Sequence, residues 1–246
     1  MKALRSARKN PNVKAVILRV DSGGGSGLAS DIIWHETVKL AKEKPFIVSM
    51  GNIAASGGYY ISIEGEKVFV EPLTITGSIG VVGMKPVFAE LYDKVDATYE
   101  TFRRGEHADQ WSTMRKLTDE EREMADELMN WFYGEFIQKA ANARGMPEDR
   151  LRELAGGRVW MGSQALVGQP VGERGGLSAA IDYACEKIGV PREDAEVAYY
   201  REGTSWVDDV LGGAAAKLGL SRLFHLGDAG MRSLTQLTTV TETPFD

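Results

Sequence analysis

Two short apolar runs, each ending in a cluster of very small residues, constrain this chain more than any other feature. Val13-Lys14-Ala15-Val16-Ile17-Leu18-Arg19-Val20 is β-branched and almost continuously apolar, the pattern of a strand buried on both faces of a parallel sheet. It runs into Asp21-Ser22-Gly23-Gly24-Gly25-Ser26-Gly27. A helical segment follows from about Leu28 to Lys42, with Ile32, Ile33, Val38 and Leu40 as its apolar positions, and Pro45 closes it. Phe46–Met50 reads as a second buried strand, and the next helix starts near Ala54 with Ser56 close to its first turn. Strand, glycine turn, helix, strand is the alternation that builds α/β folds with a mainly parallel sheet and crossover helices.

Further strands are expected at Lys67–Val70, Ser78–Val82 and Ala97–Phe102. Thr118-Asp119-Glu120-Glu121 has capping-box spacing and opens a helix to about Ala143. On it Met124, Leu128, Trp131, Phe132, Phe136 and Ile137 recur at helical spacing, a stripe for the core or a subunit interface. A helix over Ser178–Ile188 follows. The pattern divides the chain into a domain over 1–190 and a peripheral extension over 191–246, with a frayed Thr-rich tail from Thr235. Met1–Asn10 reads as a short basic helix leading straight into Val13, so the sheet is expected to lack its first strand layer.

Composition narrows the partners. The formal net charge is −6, from 35 acids against 29 bases, and no basic tract is interleaved with aromatics, which argues against nucleic acid. Cys185, the only cysteine, has no partner for an intrachain disulfide and reads as a buried structural thiol. No apolar run reaches the eighteen or so residues needed to span a bilayer. Met1–Lys9 is basic and polar, unlike a signal peptide, so membrane association is expected only through an anchor that these residues do not contain.

Ser56 is the candidate nucleophile. It lies where a strand gives way to a helix, among Ala54, Ala55, Gly57 and Gly58, residues small enough for a sharp turn and close approach of a substrate carbonyl. A helix start also offers unpaired N–H groups and the positive end of its dipole, and the N–H of Gly57 is placed to meet a developing oxyanion. A plain N-cap serine is the competing reading. The glycines at 23–25 suit a loop that binds a peptide carbonyl or completes an oxyanion hole. They lack the GxGxxG spacing of a dinucleotide fingerprint, and no Walker-type lysine follows. The acids from Asp119 to Glu123 lack the alternating oxygens and turn glycine of a calcium loop, so no metal site is expected.

Taken together, these segments resemble the signal peptide peptidase A (protease IV) family, whose fold is of the Clp protease/crotonase type. The resemblance rests on Val16-Ile17-Leu18-Arg19-Val20-Asp21-Ser22-Gly23-Gly24-Gly25-Ser26, on Val48–Tyr60 around Ser56, on Leu73-Thr74-Ile75-Thr76-Gly77-Ser78-Ile79-Gly80-Val81 and on Gly157-Arg158-Val159-Trp160-Met161-Gly162. It covers about residues 1–190 in order. It implies a serine endopeptidase with Ser56 as nucleophile and Gly57, Gly24 and Gly25 as oxyanion and substrate-backbone contacts, with no cofactor. The implied substrates are cleaved signal peptides or other hydrophobic extended peptides at the extracytoplasmic face of a membrane, and the implied assembly is a ring- or bowl-shaped oligomer.

The family resemblance also implies a serine–lysine dyad, in which burial must bring the lysine from roughly 10.4 to about 7–8. Here the sequence departs from the short family members, because Ala108 in Phe102–Asp109 stands where their lysine falls. In the long tandem members the serine belongs to the carboxyl-terminal half and the lysine to the amino-terminal half. This chain resembles that carboxyl-terminal half, so the lysine is expected from a missing amino-terminal half. Within the chain the substitutes are His107, Lys85 and Lys116. His107 reads as a solvated loop residue, and His35 and His225 as surface or helix positions. The alternative is a non-catalytic assembly or peptide-binding subunit of the same fold.

Overall fold

The computed structural model describes residues 1–168, 172–200 and 236–242. Helix α1 (Lys2–Lys9) leads into strand β1 (Val13–Ser22), helix α2 (Gly27–Ala41) and strand β2 (Phe46–Ala55). A single helical turn, α3 (Gly57–Tyr60), then precedes β3 (Lys67–Val70) and β4 (Ile75–Gly77). After α4 (Ala89–Lys94) come the long α5 (Asp119–Arg144), α6 (Glu148–Leu154), β5 (Val159–Met161), α7 (Gly162–Gly168), β6 (Glu173–Arg174) and α8 (Leu177–Ile188). Two further strands, β7 (Ala195–Tyr200) and β8 (Gln236–Glu242), complete the order.

The eight strands among the described residues join one sheet. Strand β2 runs parallel to β1 along one edge and divides its other edge between two parallel partners. Ile47–Ser49 pairs with β3, and Ile53–Ala55 pairs with β4. Alternation along β1 and β2 sends Val16, Leu18, Val20, Val48 and Met50 into a large core beneath helices α1, α2, α3, α5 and α6. Ala15, Ile17 and Ile47 point to the opposite face, against α8. A strand covered on both faces must be apolar at nearly every position, as the two opening runs are. The α/β fold with repeated βα units and a mainly parallel sheet is therefore observed.

Four details differ from the sequence reading. Ser78–Val82 is not a strand: the chain leaves β4 at Gly77, and Ser78 has φ +49°. Ala97–Phe102 is irregular and exposed. Strand β2 runs on to Ala55, past the expected end at Met50, and is followed by the single turn Gly57–Tyr60 rather than a helix from near Ala54. The tail does not fray over its whole length, because β8 pairs antiparallel with both β1 and β7. Cys185 is buried as expected, and burial pushes its thiol pKa up.

Candidate active site

The site forms where β2 ends. Ser56 has φ +51° and ψ −119°, a conformation that costs a non-glycine residue about 1–3 kcal/mol unless its surroundings fix it. Two backbone bonds do so. The N–H of Ser56 donates to the carbonyl of Gly77 at the end of β4 (2.9 Å), and its carbonyl accepts from Tyr60 N–H at the end of α3 (2.9 Å). The serine is thus wedged between a strand end and a helical turn. Its hydroxyl makes no capping hydrogen bond, which removes the N-cap reading. The first N–H groups of a helical turn have no partner within the turn, and Gly57 supplies the first of them here.

The glycine loop leans onto this turn. Gly24 has φ +95°, and a Cβ there would lie 2.5 Å from Gly57 N, 2.9 Å from Ser56 Cβ and 3.1 Å from the Ala55 carbonyl oxygen. Only glycine allows that approach. The loop is placed by the end of β1, where Asp21 accepts from Ile53 N–H of β2 (3.2 Å) and Ser22 Oγ accepts from Gly24 N–H (3.2 Å). Ser26 then caps α2 by accepting from Ala29 N–H (3.3 Å). Ser56, Gly57 and Gly24 therefore meet. Gly25 follows on the same loop: its N would lie 3.4 Å from a Cβ on Gly57, while a Cβ on Gly25 itself would find nothing within 4 Å.

Ser56 opens into a cavity of about 450 Å³. One side is the segment after β4, with Ser78, Gly80, Val81 and Val82; the other is α5, with Met129, Asn130 and Tyr133. Gly156 and Gly157 close the end, and Tyr133 Oη accepts from Gly156 N–H (3.2 Å). Ser78 is the residue that sequence reasoning passed over as the start of a strand. Its positive φ and the bond from its N–H to the Arg158 carbonyl (2.7 Å) turn it out of the sheet and into the wall shared with Ser56. The Thr-Gly-Ser sequence at 76–78, a glycine at a strand end followed by a hydroxyl residue, was the available signal.

No lysine, histidine or carboxylate is among the described residues lining the cavity. Ala108 is exposed in a segment tied to the start of α5. Arg115 grips both Asp109 (2.8 and 3.0 Å) and the buried Glu121 (2.6 Å through two nitrogens). His107 lies on the same cluster, with Nδ1 3.4 Å from Glu121 Oε1, so it is half-buried rather than a solvated loop residue. Hydrogen bonds from Arg115 and from the Thr118 backbone hold the Glu121 carboxyl down at about 2. Lys85 donates to the Arg115 carbonyl, Lys116 and His35 are exposed, and His225 lies outside the described residues.

Lys139 on α5 is a part-buried lysine bonded to Tyr60 of the turn that follows Ser56, and its surroundings oppose use as a base. Burial works against its charge, but hydrogen bonds to Asp31, Tyr60 and Glu135 outweigh burial and raise its pKa above the ordinary lysine range. A base must be neutral to accept the serine proton. Among the described residues there is also no cluster of side chains able to hold a metal ion.

Comparison with known proteins agrees with this architecture. Residues 38–190 match the model of peptidase family S49. The chain is 38% identical over 242 residues to the chloroplastic serine protease SPPA of Arabidopsis thaliana, covering 97% of this chain and 35% of that protein. It is 37% identical over 195 residues to protease 4 of Haemophilus influenzae, covering 79% of this chain and 31% of the relative. With a putative signal peptide peptidase SppA of Enterococcus faecium it shares 33% identity over 203 residues, or 82% of this chain and 58% of that one. The chain thus spans about a third of the length of the first two relatives. On the strength of the matched segment, which contains Ser56 and both walls of its cavity, the chain belongs to peptidase family S49.

Proposed function

We propose that this chain carries the nucleophile of a serine–lysine endopeptidase, with Ser56 attacking the scissile carbonyl and the Gly57 N–H, beside the Gly24 loop, receiving the oxyanion. The observation that carries the reading is the backbone of Ser56. A non-glycine residue at φ +51°, with no capping role and facing a cavity, is held at a cost that packing alone does not need. The general-base lysine comes from a segment beyond these residues, an amino-terminal half or a neighbouring subunit. The absence of any cationic side chain among the described residues of the cavity supports this source. Ser78, which lines the same cavity, would hydrogen-bond an ammonium that enters there.

The substrates are extended, hydrophobic peptides, including cleaved signal peptides. Main-chain hydrogen bonds to a glycine loop bind an extended peptide without demanding one sequence. Val81, Val82 and Met129 give the cavity an apolar lining. No described helix is long and apolar enough to cross a membrane, so attachment to a membrane face comes through a partner or through a segment beyond these residues.

The test is hydrolysis of an internally quenched hydrophobic peptide by the chain alone, and by the chain co-expressed with a lysine-bearing amino-terminal half. Each form is set against Ser56→Ala. Turnover in the co-expressed form that Ser56→Ala abolishes is the expected result. Equal rates for wild type and Ser56→Ala in both forms would leave the chain a non-catalytic subunit.

A further inference from the structure

Behind the nucleophile a single ammonium joins three helices. Lys139 Nζ, from α5, donates to Asp31 Oδ1 of α2 (2.7 Å) and to Tyr60 Oη of α3 (2.8 Å), and pairs with Glu135 of its own helix (3.2 Å). Tyr60 Oη donates in turn to Asp31 Oδ1 (2.7 Å). The ammonium also lies 4.4 Å from the centroid of the Trp34 ring, and the Tyr60 ring packs on Phe136 at 4.7 Å. All three donors of a primary ammonium are used, one on each helix.

Each tied helix carries part of the site. Turn α3 begins directly after Ser56 and is four residues long, too short to hold its own geometry, since one isolated helical turn is unfavourable. Helix α2 follows directly on the glycine loop that touches Ser56. Helix α5 supplies Met129, Asn130 and Tyr133 to the cavity wall. We infer that Lys139 is a positioning residue: by tying Tyr60 and Asp31 to α5, it fixes the angle at which Ser56 presents its hydroxyl to the cavity, beside the Gly57 N–H that receives the oxyanion. Burial and the Asp31 contact hold Tyr60 at about 12, so it stays a neutral donor across the working pH range. The inference rests on Ser56 being the nucleophile, but one arm of its test does not.

Two measurements on Lys139→Met test it, with Ile181→Val on the opposite face of the sheet as a reference for general loosening. In hydrogen exchange, the amides of Ser56–Ile61 should exchange roughly tenfold faster or more, while those of Val16–Val20 keep wild-type protection. In the co-expressed peptidase, kcat should fall at least about tenfold with KM within about threefold, because a mis-aimed nucleophile loses rate rather than binding. Unchanged exchange at Ser56–Ile61, or acceleration spread evenly as in Ile181→Val, overturns the inference. Local loosening with an unchanged kcat overturns it as well. If the wild-type peptidase shows no turnover above Ser56→Ala, the nucleophile assignment fails instead, and the exchange comparison alone decides whether Lys139 holds the turn.

Discussion

Replacing Gly24 by alanine separates the chemistry of this site from its stability. The new Cβ would stand 2.5 Å from Gly57 N, where ordinary contact needs about 3.5 Å, so the loop must retreat by about 1 Å. Gly57 cannot give way, because its turn is fixed by Ser56 and Tyr60. The loop can, being exposed from Gly23 to Gly27. The penalty for alanine at φ +95° is of order 1–2 kcal/mol, which for a chain of this size lowers Tm by roughly 2–8 °C. A retreat of about 1 Å in an oxyanion or substrate contact costs on the order of 100-fold in rate. Thermal unfolding and peptide hydrolysis by the co-expressed form should therefore diverge: a modest Tm change with a loss of about two orders of magnitude in kcat/KM. Gly27→Ala, whose Cβ would meet nothing within 4 Å, is the control and should retain both. Wild-type hydrolysis by Gly24→Ala at reduced Tm would refute the idea that close approach of this loop to Ser56 matters.

Ser56→Gly relieves a positive φ and should raise Tm by about 2–4 °C per kcal/mol recovered while abolishing hydrolysis; a lowered Tm would show that Ser56 is not strained. Thr118→Ala removes half of the capping box of α5, in which Thr118 Oγ1 accepts from Glu121 N–H (3.2 Å), and should cost ~1 kcal/mol in urea unfolding. Glu121 titrates lower in the folded state, at about 2, than its ordinary value of 4.5. Its contribution to stability is therefore complete above about 4.5 and lost as pH falls through about 2. Melting curves between these limits should be steeper in pH for wild type than for Glu121→Gln.

What was legible in the sequence follows from how local each signal was. Strand β1 and the cap and length of α5 are written in contiguous residues and appear with bounds nearly as read, whereas β2 was read as ending at Met50 and runs on through the small residues to Ala55. Ser78–Val82 failed because β-branched residues favour any extended, half-buried surface. Here that surface is a cavity wall, not a sheet. The partners of Ser56 were hidden for a related reason: Met129, Asn130 and Gly156 reach it only after the chain has crossed the sheet and returned along α5. Likewise the pairing of Lys139 with Asp31 and Tyr60 depends on how three helices pack, which no local spacing encodes.

The antiparallel pairing of β8 with β1 has a consequence for biogenesis. Val13 opens the sheet at one end of the chain and pairs with Thr241 near the other. During synthesis that edge of β1 therefore stays without this partner until the chain has been made through Thr241. Meanwhile its row of free N–H and C=O groups is open to pairing with another nascent copy. Pairing across that sequence separation is intrinsically slow, so the sheet on which Ser56 stands closes late relative to its local elements.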